Sequence, residues 1–376
     1  MKFGRIFGVL ATLCCLMAFP LSASAEGMEF TFHGVRLNGV LLSPIPLPTG
    51  ADVEVRLPLP AKGLLFTFRL AGGYEDRMIL RDDADGSPIA KPASFDEAQW
   101  FHWPNVEADT GVLYRLPSGV SGPRIELFGL VRGRYESNSP GLDSSRFPDA
   151  RNLAALSLLA GAGMDAVYKS PRRFMSGYAG ELSFEYAPAA FGFAGGTDFF
   201  RVSGALEGYL PLFSSGKDDL DAVSLYAAGY LAGDFAGGNE IPLYVLTGFG
   251  GRSLRDGLGN SIRGYQPWGY EATTKAEASL DLRLAGPGLF GKAGLRPMAY
   301  LFGDAGYFGG LYDCPAIVDK NGLLLSAGAG LALNVFDFVY VGARAGYRFP
   351  IDDPLQDIYF PGGETFFWDI TFLLHF

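Results

Sequence analysis

The chain has 376 residues and a formal net charge of −10, from 40 Asp and Glu against 30 Lys and Arg. This acidic balance disfavours nucleic acid as a partner. The 52 glycines and the 14% of aromatic residues are uncommon in soluble enzymes of this length, but they suit membrane-spanning β-strands with aromatic girdles at the two interfaces.

Residues 1–25 have the pattern of a secretory signal peptide. Lys2 and Arg5 precede an apolar run at 6–19, and small residues at 23–25 form a cleavage site. Cleavage would remove two basic and no acidic residues, which moves the formal charge to −12. We therefore expect the mature chain to lie outside the cytoplasm.

The sequence gives no support for an enzyme or a metal site. Cys14 and Cys15 lie in the removed segment, so Cys314 is alone and no intramolecular disulfide is expected. An acidic run at 82–86 lacks the downstream glutamate of a calcium loop and is better explained as a solvated loop. Three separated histidines have no ligand-spaced partners for zinc: His33, His102 and His375. Nucleophile-elbow, P-loop and dinucleotide motifs are absent, so we expect no enzymatic activity, cofactor or metal.

Period-two alternation of apolar and polar residues predicts an all-β fold over residues 26–376. The expected architecture is one transmembrane antiparallel β-barrel of about 16 strands, with lipid outside and water inside. No run of about 18 apolar residues follows the signal peptide, which excludes a helical membrane protein. The predicted strands are 29–42, 51–58, 63–80, 109–117, 125–135, 153–168, 176–186, 199–212, 220–234, 241–249, 276–284, 298–308, 323–333, 339–349 and 366–376.

These segments number fifteen, whereas a bacterial single-chain barrel has an even number of strands. The odd count also places a long connection at 137–151 on the periplasmic side, where turns are short. We therefore expect one strand to be missing or misjoined in the first half. Long connections are predicted at 82–105, 250–270, 310–321 and 350–363, and short ones at 235–240 and 334–337.

Strand parity assigns charged side chains to the lumen, because successive side chains point to opposite faces of a strand. In the first half the inward residues are Arg124, Glu126, Arg132, Arg134, Glu181 and Glu185. In the second half they are Glu277, Asp281, Arg283, Asp304, Arg344 and Arg348.

The last strand has one continuous apolar face and ends on an aromatic residue. A lipid-facing closing strand of an outer-membrane barrel requires this pattern, whereas a half-buried strand of a soluble sandwich agrees less well with the rest of the chain. The residues of this face are Phe366, Trp368, Ile370, Phe372, Leu374 and Phe376.

Two short motifs lie in the second half. Ser-Ile-Arg-Gly-Tyr at 261–265 falls in a long connection, and Phe-Gly-Asp-Ala-Gly at 302–306 falls on a predicted strand. They resemble the R-G-Y or R-G-F loop and the F-x-D-x-G strand of the bacterial surface antigen superfamily. This superfamily contains outer-membrane protein assembly factors, such as the barrel of the BAM complex, and two-partner secretion transporters. The resemblance covers 240–376, and the first half agrees only in its strand pattern.

One departure lies between the motifs. Relatives have E-L-R followed by proline, whereas this chain has Asp281-Leu282-Arg283 and then Ala285 in the place of the proline.

The resemblance implies that the loop folds back into the lumen, where Arg263 meets Asp304. Parity supports this contact, since it already points Phe302, Asp304 and Gly306 inward, and a guanidinium matches a carboxylate bidentately. Other lumenal partners remain open: Glu277, Asp281, Arg344 and Arg348.

The glycines and the tyrosine of the motifs have expected roles as well. Gly264 would allow the backbone to turn with either sign of φ, and Tyr265 would wedge against the wall. Gly303 and Gly306 would permit close approach of another backbone. The pair of motifs supports two interpretations, a purely structural clasp or a role in gating or assembly.

Relatives that insert or secrete polypeptides carry soluble periplasmic POTRA modules before the barrel. The sequence between Glu26 and the first predicted strand has no room for one, so we expect a barrel-only member. Capture of a substrate by such modules is therefore not assumed.

Two functions remain open for a barrel in the cell outer membrane. The first is to assist assembly or translocation of outer-membrane polypeptides through a weak seam between the first and last strands. Its partners would be outer-membrane lipid, unfolded polypeptides and the barrel assembly machinery. The second is a passive pore or structural surface barrel, in which the loop with the Arg263 motif constricts the lumen.

Overall fold

A computed structural model describes residues 28–38, 47–78, 100–117, 122–137, 152–169, 175–194, 196–216, 221–252, 257–266, 269–291, 294–311, 321–335, 339–360 and 362–374. These residues form one antiparallel sheet of sixteen strands. The strands are β1 (Glu29–Asn38), β2 (Leu47–Pro58), β3 (Leu64–Met78), β4 (Trp100–Arg115), β5 (Arg124–Glu136), β6 (Leu153–Asp165), β7 (Tyr168–Lys169), β8 (Met175–Ala187), β9 (Gly192–Ala194), β10 (Asp198–Ser215), β11 (Val223–Glu240), β12 (Ala272–Ala285), β13 (Leu295–Leu311), β14 (Asn321–Val335), β15 (Val339–Arg348) and β16 (Phe366–Leu374).

The wall follows the order of the sequence. Fourteen strands pair with their neighbours along one path from β1 to β16, and the short strands β7 and β9 lie off this path, paired with β8 and β6. The predicted antiparallel fold of about 16 strands is confirmed.

The sheet curls so that its two end strands meet. β1 and β16 come into contact, but no backbone ladder joins them in the part of the chain that the structure describes. The barrel therefore has a seam between its first and last strands, with strand-edge N–H and C=O groups on both sides.

Exposure alternates along the strands as a lipid-facing wall requires. Leu280, Leu301 and Leu331 are 60%, 59% and 69% exposed, whereas their neighbours Asp281 and Phe302 are 8% and 5% exposed. The apolar residues face outward and the charged residues inward, in agreement with the predicted alternation.

β16 has the predicted outward aromatic face. Phe366, Trp368 and Ile370 are each more than half exposed, and Trp368 and Ile370 stand opposite the small residues Ala345 and Ala343 of β15. The prediction also included Phe372, Leu374 and Phe376. The side chains of Phe372 and Leu374 and the whole of Phe376 lie outside the described part of the chain.

The predicted strand at 241–249 is wrong, because this segment forms helix α1 (Leu243–Thr247). All five residues of α1 are buried, and Pro242 occupies its N-cap. A short, continuously apolar run does not distinguish a buried strand from a buried helix, which explains the error. Without this segment the fifteen predicted strands become the fourteen of the wall, so among the described residues the odd count came from one false strand and not from a missed wall strand in the first half.

Some predicted connections are also wrong. The short connection at 235–240 is part of β11, and β4 starts at Trp100, inside the predicted loop at 82–105. With fourteen wall strands, the connection at 137–151 moves to the same end of the barrel as the other long connections. The correction therefore restores the expected separation of long loops and short turns.

Among the described residues, no helix has the length and apolarity needed to cross a membrane. The predicted signal peptide, the acidic run at 82–86, Cys314 and His375 lie outside the described residues.

Candidate functional site

The connection between β11 and β12, residues 241–271, folds into the barrel, and we call it the insertion. It contains α1 and a second short helix, α2 (Leu258–Ser261). Val245, Leu258 and Ile262 are fully buried. The insertion contacts inward-facing side chains on strands from β3 to β13 and the backbone of β14, so it occupies the lumen.

Arg263 of the insertion binds Asp304 of β13. Its Nε donates to Asp304 Oδ2 at 2.7 Å, and its Nη2 donates to Asp304 Oδ1 at 2.5 Å. The backbone N–H of Arg263 donates to the same carboxylate at 3.1 Å. The two residues therefore form a bidentate, charge-assisted contact, which we call the Arg263 clasp.

Further groups of the wall complete this clasp. Arg263 Nη2 also donates to Asp281 Oδ1 of β12 at 2.7 Å, and Arg283 donates to the other oxygen of Asp281 at 2.8 Å. The ring of Phe302 lies under the guanidinium, 4.0 Å from it. Burial favours the neutral form of Arg263, but the hydrogen bond and charge of Asp304, with the charge of Asp281, outweigh it and raise the pKa of Arg263.

The next two residues of the motif also contact the wall. Gly264 has φ of 92°, and a Cβ at this position would lie 2.4 Å from the ring of Phe367, so both backbone and space require glycine. Tyr265 Oη donates to the carbonyl of Leu325 at 2.9 Å and accepts from the N–H of the same residue at 3.0 Å. Arg348 Nη1 donates to the carbonyl of Gly264 at 2.6 Å. The motif therefore lies against strands β12 to β16.

The glycines of the strand motif differ in their surroundings. A Cβ at Gly306 would lie 2.8 Å from the side chain of Ile262, so this glycine makes room for a side chain of the insertion, whereas the prediction was close approach of another backbone. A Cβ at Gly303 would meet nothing within 4 Å, because Gly303 faces outward. The expectation of a close backbone approach at Gly303 is wrong, since its parity is opposite to that of Asp304.

The loop between β15 and β16 also packs against the insertion. It carries helix α3 (Gln356–Tyr359), whose Tyr359 donates to the carbonyl of Gly269 at 2.7 Å. Tyr270 donates to Asp353 of this loop at 3.0 Å and packs on Tyr359 with ring centroids 5.9 Å apart. Aromatic packing and hydrogen bonds thus join the insertion to the loop.

Burial raises the pKa of Asp353 to about 6, although the Leu355 N–H and the Tyr270 hydroxyl act in the opposite direction. The ordinary value is 3.8, so the folded loop favours the neutral carboxyl. Its contribution to stability is complete below pH 3.8 and is lost as the pH rises through about 6.

We expect the Asp353→Asn variant to lose this pH dependence, because the amide cannot ionise but can still accept from Tyr270. The temperature at which half of the purified barrel loses its heat-modifiable gel mobility should fall between pH 5 and pH 8 for the native protein and stay nearly constant for the variant. Glu364→Gln, a change at an exposed carboxylate of the same loop, serves as the control, because Asp357 itself raises the pKa of Asp353. Equal pH dependence of all three proteins would contradict the prediction.

A second contact lies on the opposite wall, and we call it the Arg252 clasp. Arg252 Nε donates to Glu181 Oε2 of β8 at 2.6 Å, and its Nη1 donates to Glu126 Oε2 of β5 at 3.1 Å. The Arg252 backbone N–H donates to Glu181 Oε1 at 2.7 Å. In the other direction, Arg132 Nη2 donates to the carbonyls of Gly251 and Arg252, both at 2.9 Å. The insertion therefore bridges the lumen.

A third contact fixes the end of α1. Arg201 of β10 is fully buried, and its Nε donates to Asp234 Oδ2 at 2.7 Å. Arg201 also donates to the carbonyl oxygens of Val245 and Gly248. Lys275 of β12 donates to the carbonyl of Val245 at 2.9 Å. These cations satisfy carbonyl groups at the C-terminal end of a helix, where positive charge is favourable.

The wall behind the Arg252 clasp is a continuous network of buried ion pairs. Arg132 Nε donates to Asp109 Oδ1 at 2.8 Å, and Arg69 Nη1 donates to Glu107 Oε1 at 3.0 Å. Arg134 joins Glu107 at 2.9 Å. Such a network holds β3, β4 and β5 in fixed side-chain positions.

The remaining charged residues that were predicted to face the lumen have different surroundings in the structure. Glu277 is buried and lies on β12, two inward positions away from Asp281 on the side opposite Arg283. Arg344 pairs with Asp369 of β16 at 2.8 Å, within the wall. Arg124, predicted to face inward, is exposed at the first position of β5.

Sequence reasoning did not identify several residues of the site. Arg252 lies in a long connection without periodicity, so parity gives it no direction. Arg201, Asp234 and Lys275 occupy strand positions where an inward direction follows from parity, but their common target, the end of α1, was itself taken for a strand. The signal that the sequence did contain was a charged residue at an inward position on each of three neighbouring strands.

The antiparallel wall, apolar outside and charged inside, with an inserted segment in its lumen, defines a transmembrane β-barrel of the outer-membrane type. Among solved structures, the chain is similar to BamA from Haemophilus ducreyi lacking POTRA domains 1–3. The identity is 15% and the TM-score 0.46, over 86% of this chain and 62% of that chain. The chain thus spans less than two thirds of that BamA chain.

A second similar structure is a bacterial polysaccharide outer membrane secretin. The identity is 10% and the TM-score 0.35, over 85% of this chain and 87% of that chain. No family model and no curated protein matches the chain.

Proposed function

We propose that the protein assists the assembly or translocation of outer-membrane polypeptides, and that unfolded barrel polypeptides and the barrel assembly machinery are its partners. The observation that carries the proposal is the seam between β1 and β16, where no ladder joins the two strands in the described part of the chain. An unpaired strand edge is a template for another strand, and this is the chemistry that a barrel precursor offers.

The insertion supports this role by keeping the rest of the wall in shape. The Arg263 clasp joins it to β12 and β13, and Tyr265 joins it to β14. These contacts hold β12, β13 and β14 in register from inside the barrel while the seam between β1 and β16 is open. A seam that separates in an otherwise braced barrel can accept an incoming strand without collapse of the wall.

The test locks the seam. In a Cys314→Ser background, cysteines replace Phe30 of β1 and, in separate variants, Ile370 or Phe372 of β16. We expect any pair that forms a disulfide to lower the amounts of folded client barrels in cells that lack the native copy, and a reductant to restore them. The single-cysteine proteins are the controls. A locked barrel that supports full client levels would exclude the proposal.

A structural or pore function is the second candidate. It is favoured by the number of fixed contacts that hold the insertion across the lumen, because a permanent plug needs no moving seam. This candidate predicts normal client levels whether the seam is locked or free. The same experiment therefore discriminates between the two functions.

A further inference from the structure

A polar cavity adjoins the Arg252 clasp on the inner side of β2 to β5. Its volume is about 140 Å³, which is room for several water molecules. Its charged lining is balanced between three arginines and three carboxylates: Arg56, Arg69, Arg252, Glu54, Asp109 and Glu181. Thr67, Leu113 and Leu130 complete the lining, and charged groups of both signs face a space that is large enough for small inorganic ions.

The Arg252 clasp is the wetter of the two clasps that hold the insertion. The Arg252 side chain is 23% exposed and that of its partner Glu181 14%, whereas Arg263 and Asp304 are 10% and 0% exposed. Ion pairs in contact with water are weaker than buried ones with the same geometry, because breaking them leaves no unsolvated charge. The Arg252 clasp therefore separates more readily than the Arg263 clasp.

The backbone next to Arg252 permits such a movement. Gly251 has φ of 119°, a conformation that glycine reaches and leaves without the penalty of a side chain. The carbonyls of Gly251 and Arg252 accept from the side chains of Arg132 and Arg69, and the Arg252 N–H donates to the Glu181 carboxylate, so no ladder of backbone hydrogen bonds has to break among these contacts. Rotation at Gly251 would thus move the Arg252 side chain away from Glu126.

We propose that Arg252 is the gate of a narrow path for small inorganic ions along the wall of β2 to β5, with the insertion anchored by the Arg263 clasp as the gate opens. The closed state is the one in the structure, in which Arg252 lines the cavity and joins β5 to β8. The inference does not depend on the proposed assembly role, because ion flow requires no movement of the seam.

The test is the conductance of the purified full-length barrel in a planar bilayer in potassium chloride. We expect Arg252→Ala to raise the conductance several-fold over that of the native protein. Arg344→Ala is the matched control, because it removes a lumenal arginine whose partner Asp369 lies in the wall, and it should conduct like the native protein. Conductance of Arg252→Ala equal to that of the native barrel would overturn the proposal.

A second variant keeps the test decisive if Arg252→Ala folds poorly. Cysteines at Glu126 and Arg252, in a Cys314→Ser background, can be joined by a reducible bifunctional thiol reagent that spans the place of the ion pair, which is too wide for a direct disulfide. The cross-linked protein should conduct no more than the native barrel, and reduction of the linker should raise its conductance to that of the open state. An unchanged conductance on reduction would also overturn the proposal. Client levels are measured separately, so failure here leaves the assembly proposal unaffected.

Discussion

Replacement of Arg263 by glutamate is expected to release the insertion from β12 and β13. Asp304 would lose its bidentate partner while its side chain is fully buried, and the new carboxylate would face Asp281, which now lies 2.7 Å from Arg263. Loss of one partner of a buried ion pair costs about 3–5 kcal/mol, and the repulsion adds to this. The midpoint temperature of heat-modifiable gel mobility should therefore fall sharply.

The charge-swapped double variant separates a direct contact from general damage. Arg263→Glu with Asp304→Arg restores an opposite pair in the same place, although Asp281 still opposes the new glutamate. We expect partial recovery of the midpoint relative to either single variant. Additive losses in the double variant would show that the two side chains do not depend on each other. Gly303→Ala, at an outward position with free space, controls for substitutions in β13.

The second large effect is expected at Arg201. Arg201→Met fills a similar volume but leaves Asp234 charged and buried, and it removes a donor from the carbonyls of Val245 and Gly248. Lys275 remains 3.9 Å from Asp234 and compensates only in part. We expect a loss of several kcal/mol, of the size typical for a broken buried pair, about 3–5 kcal/mol. The urea concentration at the midpoint of unfolding is the measurement.

A paired substitution tests the cause of that loss. Asp234→Asn in the Arg201→Met background removes the unpaired charge and keeps a side-chain oxygen that can accept from Ser203 and the Gly250 N–H. Stability should rise above that of Arg201→Met alone. If the double variant is instead less stable, packing around Arg201, and not the charge of Asp234, accounts for the effect.

The wall of the barrel and the Arg263 clasp could be predicted from the sequence, but the course of the whole insertion through the lumen could not. Alternation along a strand has a fixed period, so the directions of Asp281 and Asp304 followed from residue numbers alone. The family resemblance then supplied Arg263, which has no parity because it lies in a loop. Contacts of this kind are predictable where one partner is on a strand and the other belongs to a motif.

Arg252 and α1 were not predictable for physical reasons. The run around Leu243 is uniformly apolar because the lumen buries it on all sides, and uniform burial removes the period that distinguishes a helix from a strand. Arg252 meets Glu126 across 126 residues of sequence, and nothing local specifies that partner. Only the curvature of the completed wall brings the two side chains together.

The shortness of α1 and α2 has a consequence for the order of folding. Helices of five and four residues do not form alone in water, because too few hydrogen bonds offset the entropy of the first turn. The insertion must therefore take its shape from the wall, through contacts that span 41 residues at Asp304 and 126 at Glu126. Contacts of such separation form late. We therefore expect the insertion to fill the lumen only after the strands from β5 to β13 have assembled. A barrel with a docked insertion is then one in which this part of the wall is complete.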